Sequence, residues 1–64
     1  MTLNEHIKAF RTEWLCITQA ELARLLKVTK ASIISWESGR RIPGSLSAGK
    51  IKKLMKENMY ELER

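Results

Sequence analysis

Thr18-Gln19-Ala20-Glu21-Leu22-Ala23-Arg24-Leu25-Leu26-Lys27-Val28-Thr29-Lys30-Ala31-Ser32-Ile33-Ile34-Ser35-Trp36-Glu37-Ser38-Gly39 is the stretch that decides the fold. It opens with a Thr-x-x-Glu capping box, in which Thr18 accepts from the backbone at Glu21 and Glu21 reaches back to Thr18. The spacing predicts a short helix whose Leu22, Ala23, Leu25 and Leu26 face a core. Lys27-Val28-Thr29 then interrupts the pattern. Thr29 is a good N-cap for a further helix, Lys30 to about Ser38. Ile33 and Trp36, at i and i+3, mark its inner side. Gly39 is placed to end it in the left-handed conformation.

Working outward, Thr2 and Glu5 form another capping box. Leu3, Ile7, Phe10 and Trp14 follow at i, i+4, i+7 and i+11, one apolar stripe of helical period. Arg40-Arg41-Ile42-Pro43-Gly44 is a loop punctuated by its Pro and Gly. A last helix starts near Ser45 or Ser47, with Ile51, Leu54, Met55, Met59 and Leu62 at helical spacing. Gly49 weakens its first turn. It either runs through to Glu63 or breaks near Asn58. No run alternates apolar and polar residues with strand composition, so the expected class is all-α, and no internal repeat or low-complexity stretch is present.

The chain has 64 residues, which cannot hold two ordinary domains, so residues 1–64 are read as one. Apolar residues make up 44% of it, too many for a disordered segment carrying a net charge of +5. The longest apolar run is Trp14-Leu15-Cys16-Ile17, so nothing spans a membrane or resembles a signal-peptide core. The one cysteine, Cys16, cannot form an internal disulfide or by itself a structural zinc site, which points to the cytoplasm. A fold this small, held by packing alone, has roughly 3–5 kcal/mol of stability, and a partner that adds buried surface is expected. Residues 1–26 sum to zero charge, residues 27–56 to +7 and residues 57–64 to −2. The positive field therefore belongs to one segment, and suits either a polyanion-facing surface or a solvated face that keeps the chain soluble.

Two short helices joined by a three-residue turn, the second polar on one side, make a helix-turn-helix arrangement. A small residue, Ala23, stands where the helices cross, and Leu22, Leu26, Val28, Ile33 and Trp36 fill the angle between them. At this level Ile17-Thr18-Gln19-Ala20-Glu21-Leu22-Ala23, followed by Ser32-Ile33-Ile34-Ser35-Trp36-Glu37-Ser38-Gly39-Arg40-Arg41-Ile42-Pro43, resembles the Cro/phage-repressor type of helix-turn-helix domain over about residues 3–56. The resemblance implies a compact lambda-repressor-like bundle of four to five helices. It also implies a sequence-specific regulator, typically a repressor, that binds double-stranded DNA as a homodimer.

By position, the resemblance implies that Lys30, Ala31, Ser32, Ile34 and Ser35 read bases. Lys30 suits guanine O6 and N7, and Ala31 suits a thymine methyl. Thr18, Gln19, Ser38, Arg40 and Arg41 match phosphate-holding positions. At Gln19 the free N–H groups and dipole of a helix N-terminus favour an anion. Glu37 is read as a structural partner for a basic residue, a role in which relatives often use an arginine of the first helix, here Arg11. Two departures bear on the geometry. Lys27 stands where the family often has Gly, so it is either strained or the turn shifts. Trp14-Leu15-Cys16 replaces a Gly-containing turn and makes the first link about one residue longer.

Other side chains have plainer readings. Trp14 and Trp36 are expected in the core. Cys16 is expected as a buried or half-buried small hydrophobe. His6 stands alone and is no metal site. Met55 and Met59 fit core or interface filling. Lys50, Lys52, Lys53 and Lys56 divide between solvent and DNA backbone. No Ser/His/Asp set, paired Cys and His, metal cluster or Gly-rich phosphate loop is present, so neither catalysis nor a cofactor is expected. A second reading makes the chain an antitoxin-type module, with Glu57, Glu61, Glu63, Met59 and Leu62 as a docking helix for a protein partner.

Overall fold

Thr2 begins the first helix as its capping box requires. Its side chain accepts from the Glu5 N–H at 3.2 Å, and its own N–H donates to the Glu5 carboxylate at 2.7 Å. In this computed structural model, which describes residues 2–62, four α-helices follow in order: α1 Leu3–Ala9, α2 Gln19–Leu26, α3 Lys30–Glu37 and α4 Ser45–Glu57. A π-helical segment, Phe10–Leu15, continues α1. No strand occurs among the described residues, and the expected all-α bundle with a helix-turn-helix is what the chain forms. Glu63, assigned to the acidic tail, lies outside the described residues.

The π segment accounts for both the longer link and the fate of Trp14. A π turn closes i→i+5 instead of i→i+4 and so takes in an extra residue. The 3.6-residue phase of the apolar stripe slips there. Ile7 and Phe10 stay buried, Leu15 packs against the core, and Trp14 is 47% exposed. Trp14 is thus not the core residue its spacing suggests. Its indole N–H donates to the Asn58 carbonyl at 2.8 Å, and its ring meets Tyr60 edge-on at 5.2 Å. Cys16 is also not buried: it ends the π segment in the left-handed conformation, φ 55°, and lies exposed.

The core draws on every helix: Ile7 and Phe10, then Leu22, Ala23 and Leu26, then Ile33 and Trp36, then Ile51 and Met55. Val28 packs against it from the turn, and Pro43, read only as a loop signal, is buried. Leu25 is 56% exposed, a correction to its expected inward placement. Leu22, Ala23 and Leu26 occupy the arc of α2 that faces inward, and Leu25 falls outside it.

The helix ends share one device. Val28 N–H reaches the Ala23 carbonyl at 2.9 Å and Lys27 N–H the Arg24 carbonyl at 3.3 Å. Arg40 and Gly39 repeat the pattern onto Ser35 and Trp36, and Tyr60 and Met59 onto Met55 and Lys56. This is the Schellman closure, which needs a residue at positive φ. Gly39 supplies it at φ 79°, as its placement suggests, but Lys27 at φ 57° and Met59 at φ 61° supply it with full side chains. The turn therefore does not shift; Lys27 carries the strain. Asn58 caps α4, so the helix breaks there and does not run on to the end of the chain.

Beyond α4, Tyr60 is held by three rings. Its hydroxyl shares a 2.8 Å hydrogen bond with His6 Nδ1, and it meets Phe10 edge-on at 5.1 Å. Met59 is 82% exposed and fills no core space. A left-handed residue that is not glycine costs roughly 1–2 kcal/mol. Lys27→Gly should therefore raise stability by about 1 kcal/mol, roughly 5 °C in Tm for a domain of this size. Thermal unfolding followed by circular dichroism checks this, and an unchanged or lower Tm would contradict a strained turn.

Candidate nucleic-acid interface

Thr29 starts α3 by accepting from the Ser32 N–H at 3.2 Å. Ile33 and Trp36 anchor one side of the helix in the core, fully buried or nearly so. At 3.6 residues per turn, Lys30, Ala31, Ile34, Ser35 and Ser38 then share the opposite side. Lys30, Ala31, Ile34 and Ser38 are exposed there, and Ser35 is half-buried. Ser32 sits at the edge of this arc, half-buried, with its hydroxyl 3.0 Å from the Thr29 hydroxyl. The Ser38 hydroxyl donates to the Ser35 carbonyl at 3.1 Å.

The start of α2 lies beside this arc. Thr18 accepts from the Glu21 N–H at 3.1 Å, and its own N–H donates to the Glu21 carboxylate at 2.8 Å. The N–H groups of Gln19 and Ala20, in the first turn, have no helical carbonyl to bond. An open groove of about 570 Å³ runs here, lined by Lys8, Thr18, Gln19, Lys30, Ile34 and Ser38, with Arg11 and Glu37 at its base. Two lysines and an unpaired helix start thus face one trough, an arrangement suited to a phosphate row.

Arg11 and Glu37 fix this geometry. The Arg11 guanidinium grips the Glu37 carboxylate with two hydrogen bonds, 2.6 and 2.9 Å, and donates a third to the Ile17 carbonyl at 2.9 Å. Gln19 Nε2 donates to the same carboxylate at 3.1 Å. The pair forms across the lengthened link because the π segment absorbs the extra residue. Burial pushes the Glu37 carboxyl up, but the hydrogen bonds from Arg11 and Gln19, with the charges of Arg11 and Lys8, outweigh it and leave it below its ordinary value. The hydrogen bond to Glu37 raises Arg11 in turn.

On the other flank of α3, Ala31, Ser32, Ser35, Arg40 and Arg41 line a second open groove of about 510 Å³. Arg40 and Arg41 are exposed, and the Arg41 N–H donates to the Ser35 carbonyl at 3.3 Å. Asn4 holds this loop from the first helix: its amide donates to the Trp36 carbonyl at 2.7 Å and the Arg41 carbonyl at 3.0 Å. Asn4 and Lys8 were not among the candidates read from the sequence. Their one-turn spacing from each other, with Arg11 three residues on, was the available signal, since it lines up a polar edge beside the Ile7 and Phe10 stripe.

The structure does not bring every basic residue to this face. Lys50, Lys52, Lys53 and Lys56 are all exposed. Lys50 and Lys53 instead line a separate shallow groove with Lys27 and Leu25. The acidic segment does not form the single helix expected of it among the described residues: Glu57 ends α4, Met59 is left-handed and the residues from Asn58 to Leu62 are not helical. Among the described residues no group of His, Cys, Asp and Glu is placed to hold a metal, and no helix is long and apolar enough to cross a membrane.

A helix-turn-helix family model matches residues 7–62, which takes in every buried residue of the core, both grooves and the Arg11–Glu37 pair. The chain belongs to the helix-turn-helix family of the Cro and phage-repressor type, a family of DNA-binding regulatory domains. Searches of curated proteins and of solved structures find no match.

The depressed Glu37 value makes stability pH-dependent. A group whose folded pKa lies below its unfolded value contributes in full above the unfolded value, here 4.5, and loses that contribution as pH falls through the folded one. Glu5 and Glu21, lowered by hydrogen bonds from Thr2 and Thr18, act in the same sense. Melting temperature should therefore drop as pH is taken down from about 5. In Glu37→Gln that acid limb should be shallower and the neutral-pH stability lower by roughly 1–2 kcal/mol, since the amide keeps one acceptor for Arg11. Melting curves between pH 7 and pH 3 decide it. An acid limb equally steep in both proteins would remove Glu37 from the account.

Proposed function

We propose that this chain is a sequence-specific regulator of transcription, a repressor, that lays α3 in the major groove of double-stranded DNA. The observation that carries the reading is the exposed arc of α3 set beside the open start of α2 in one basic trough. Base edges are read only from within a groove, and the major groove admits one α-helix. Lys30, Ala31, Ser32, Ile34 and Ser35 are the residues of α3 that such docking would present to bases. Lys30 supplies donors for guanine O6 and N7, and Ala31 a methyl for apolar contact. Thr18, Gln19 and Ser38 on one flank, and Arg40 and Arg41 on the other, would hold the two phosphate rows that border the groove.

Residues 1–64 act in this reading as one DNA-binding unit of the cytoplasm. Two copies bind together, each taking a half-site, with the half-sites about 34 Å apart along the duplex. Repression then follows from occupying a promoter and needs no chemistry.

The two classes of contact separate by substitution. Lys30→Ala should weaken binding to a selected site by roughly 1–3 kcal/mol and relax preference at one base pair. Arg41→Ala should weaken selected and random duplexes alike and reduce the slope of log K against log salt by about 1. Titrations of both variants on a selected and a random duplex, at several salt concentrations, measure this. An equal loss on both duplexes for Lys30→Ala would remove Lys30 from the base-reading set.

A further inference from the structure

We infer that Ile34 is a specificity determinant that reads the C5-methyl group of a pyrimidine in each half-site, an assignment that rests on α3 entering the major groove. The observation is an apolar side chain where the fold gives it no partner. Ile34 is 44% exposed, while Ile33 beside it is fully buried and already fills the core position. Ile34 sits in the middle of the outward arc, one turn from Lys30 and one turn from Ser38, and lines the same groove as Gln19. Lys30 and Ser38 beside it are polar, and the apolar groups near it are only the methyls of Ala31 on the arc and Ala20 across the groove.

Apolar surface held at a polar face gains only where it meets apolar surface. Across the edges that base pairs present in the major groove, hydrogen-bond donors and acceptors predominate, and the apolar group is the C5-methyl of thymine. A 5-methylcytosine carries the same methyl at the same ring position. The ligand chemistry is therefore a C5-methyl pyrimidine, whether thymine or methylated cytosine. The isoleucine is suited to it in a second way. A β-branched side chain in a helix is nearly confined to one χ1 rotamer, so little side-chain freedom is lost on contact. Ala31 lies on the same arc but reaches no further than its Cβ.

The test starts from a duplex selected out of random sequence. Each thymine of a half-site is replaced in turn by deoxyuridine, which keeps the base-pair hydrogen bonds and lacks only the methyl. Burying one methyl is worth about fourfold in Kd. The expected result is one position per half-site where the replacement weakens binding about fourfold in the unmodified protein and not at all in Ile34→Ala. Ile34→Val, which keeps the branch, should retain the effect and guards against a general loss of folding. In a second arm a C·G pair occupies that position, with or without the cytosine methyl. The methyl should tighten binding in the unmodified protein and leave Ile34→Ala unchanged.

Persistence in Ile34→Ala of every methyl-sensitive position would assign the contact to Ala31 alone and overturn the inference. So would a selected duplex with no methyl-sensitive position, or a thymine effect that methylcytosine fails to reproduce. In those cases groove reading by α3 stands. Failure to select any preferred duplex would overturn the groove reading and the inference together.

Discussion

One carboxylate joins three parts of the chain. Glu37, at the end of α3, holds Arg11 from the π segment and Gln19 from the start of α2, and Arg11 passes the connection on to the backbone at Ile17. The Glu37 side chain is 5% exposed and that of Arg11 13%, so neither charge is well solvated without the other. Removing one leaves a desolvated charge unpaired, which is costly even where the intact pair contributes little net stability. The pair therefore acts chiefly on geometry. It sets where the first N–H groups of α2 stand relative to the outward arc of α3, and every candidate DNA contact is measured from those two elements.

A second constraint lies in how the helices stop. In a domain whose core supplies only a few kcal/mol, left-handed closures at Cys16, Lys27 and Met59 carry a cost that glycine would avoid. Each closure nevertheless satisfies carbonyls that would otherwise be orphaned at a helix end. Each also redirects the chain within two residues. The closure at Lys27 makes the turn between α2 and α3 short enough for Val28 to pack inward. The closure at Met59 turns Tyr60 back onto Phe10, His6 and Trp14.

Much of this was legible in the residues, and the exceptions have physical causes. All three threonine N-caps act as their spacing suggests, because a side-chain oxygen three residues before an amide is a purely local signal. Ile33 and Trp36 were legible from period alone. Trp14 was not, because a π turn leaves no compositional mark and shifts the phase of everything after it. The residues leave the end of α4 open between Asn58 and Glu63 because Met59 carries none of the usual signs of a left-handed stop. Leu25 was misplaced because an eight-residue helix has too few turns to define the width of its apolar face. At the interface, the outward arc of α3 followed from its inward anchors. Asn4 and Lys8 were missed because their partners are more than twenty-five residues away in sequence.

The outward arc of α3 owes nothing to the interior. Lys30, Ala31 and Ile34 are exposed, and no side-chain hydrogen bond ties them to the scaffold among the described residues. In the proposed reading, address and chassis are therefore separable in this molecule. On that basis, exchanging those three letters would change what the helix reads without asking the domain to refold, whereas Glu37 cannot change without leaving the Arg11 charge unpaired. A library randomised at the first set would then be a library of addresses; one randomised at Arg11 and Glu37 would strain the frame instead.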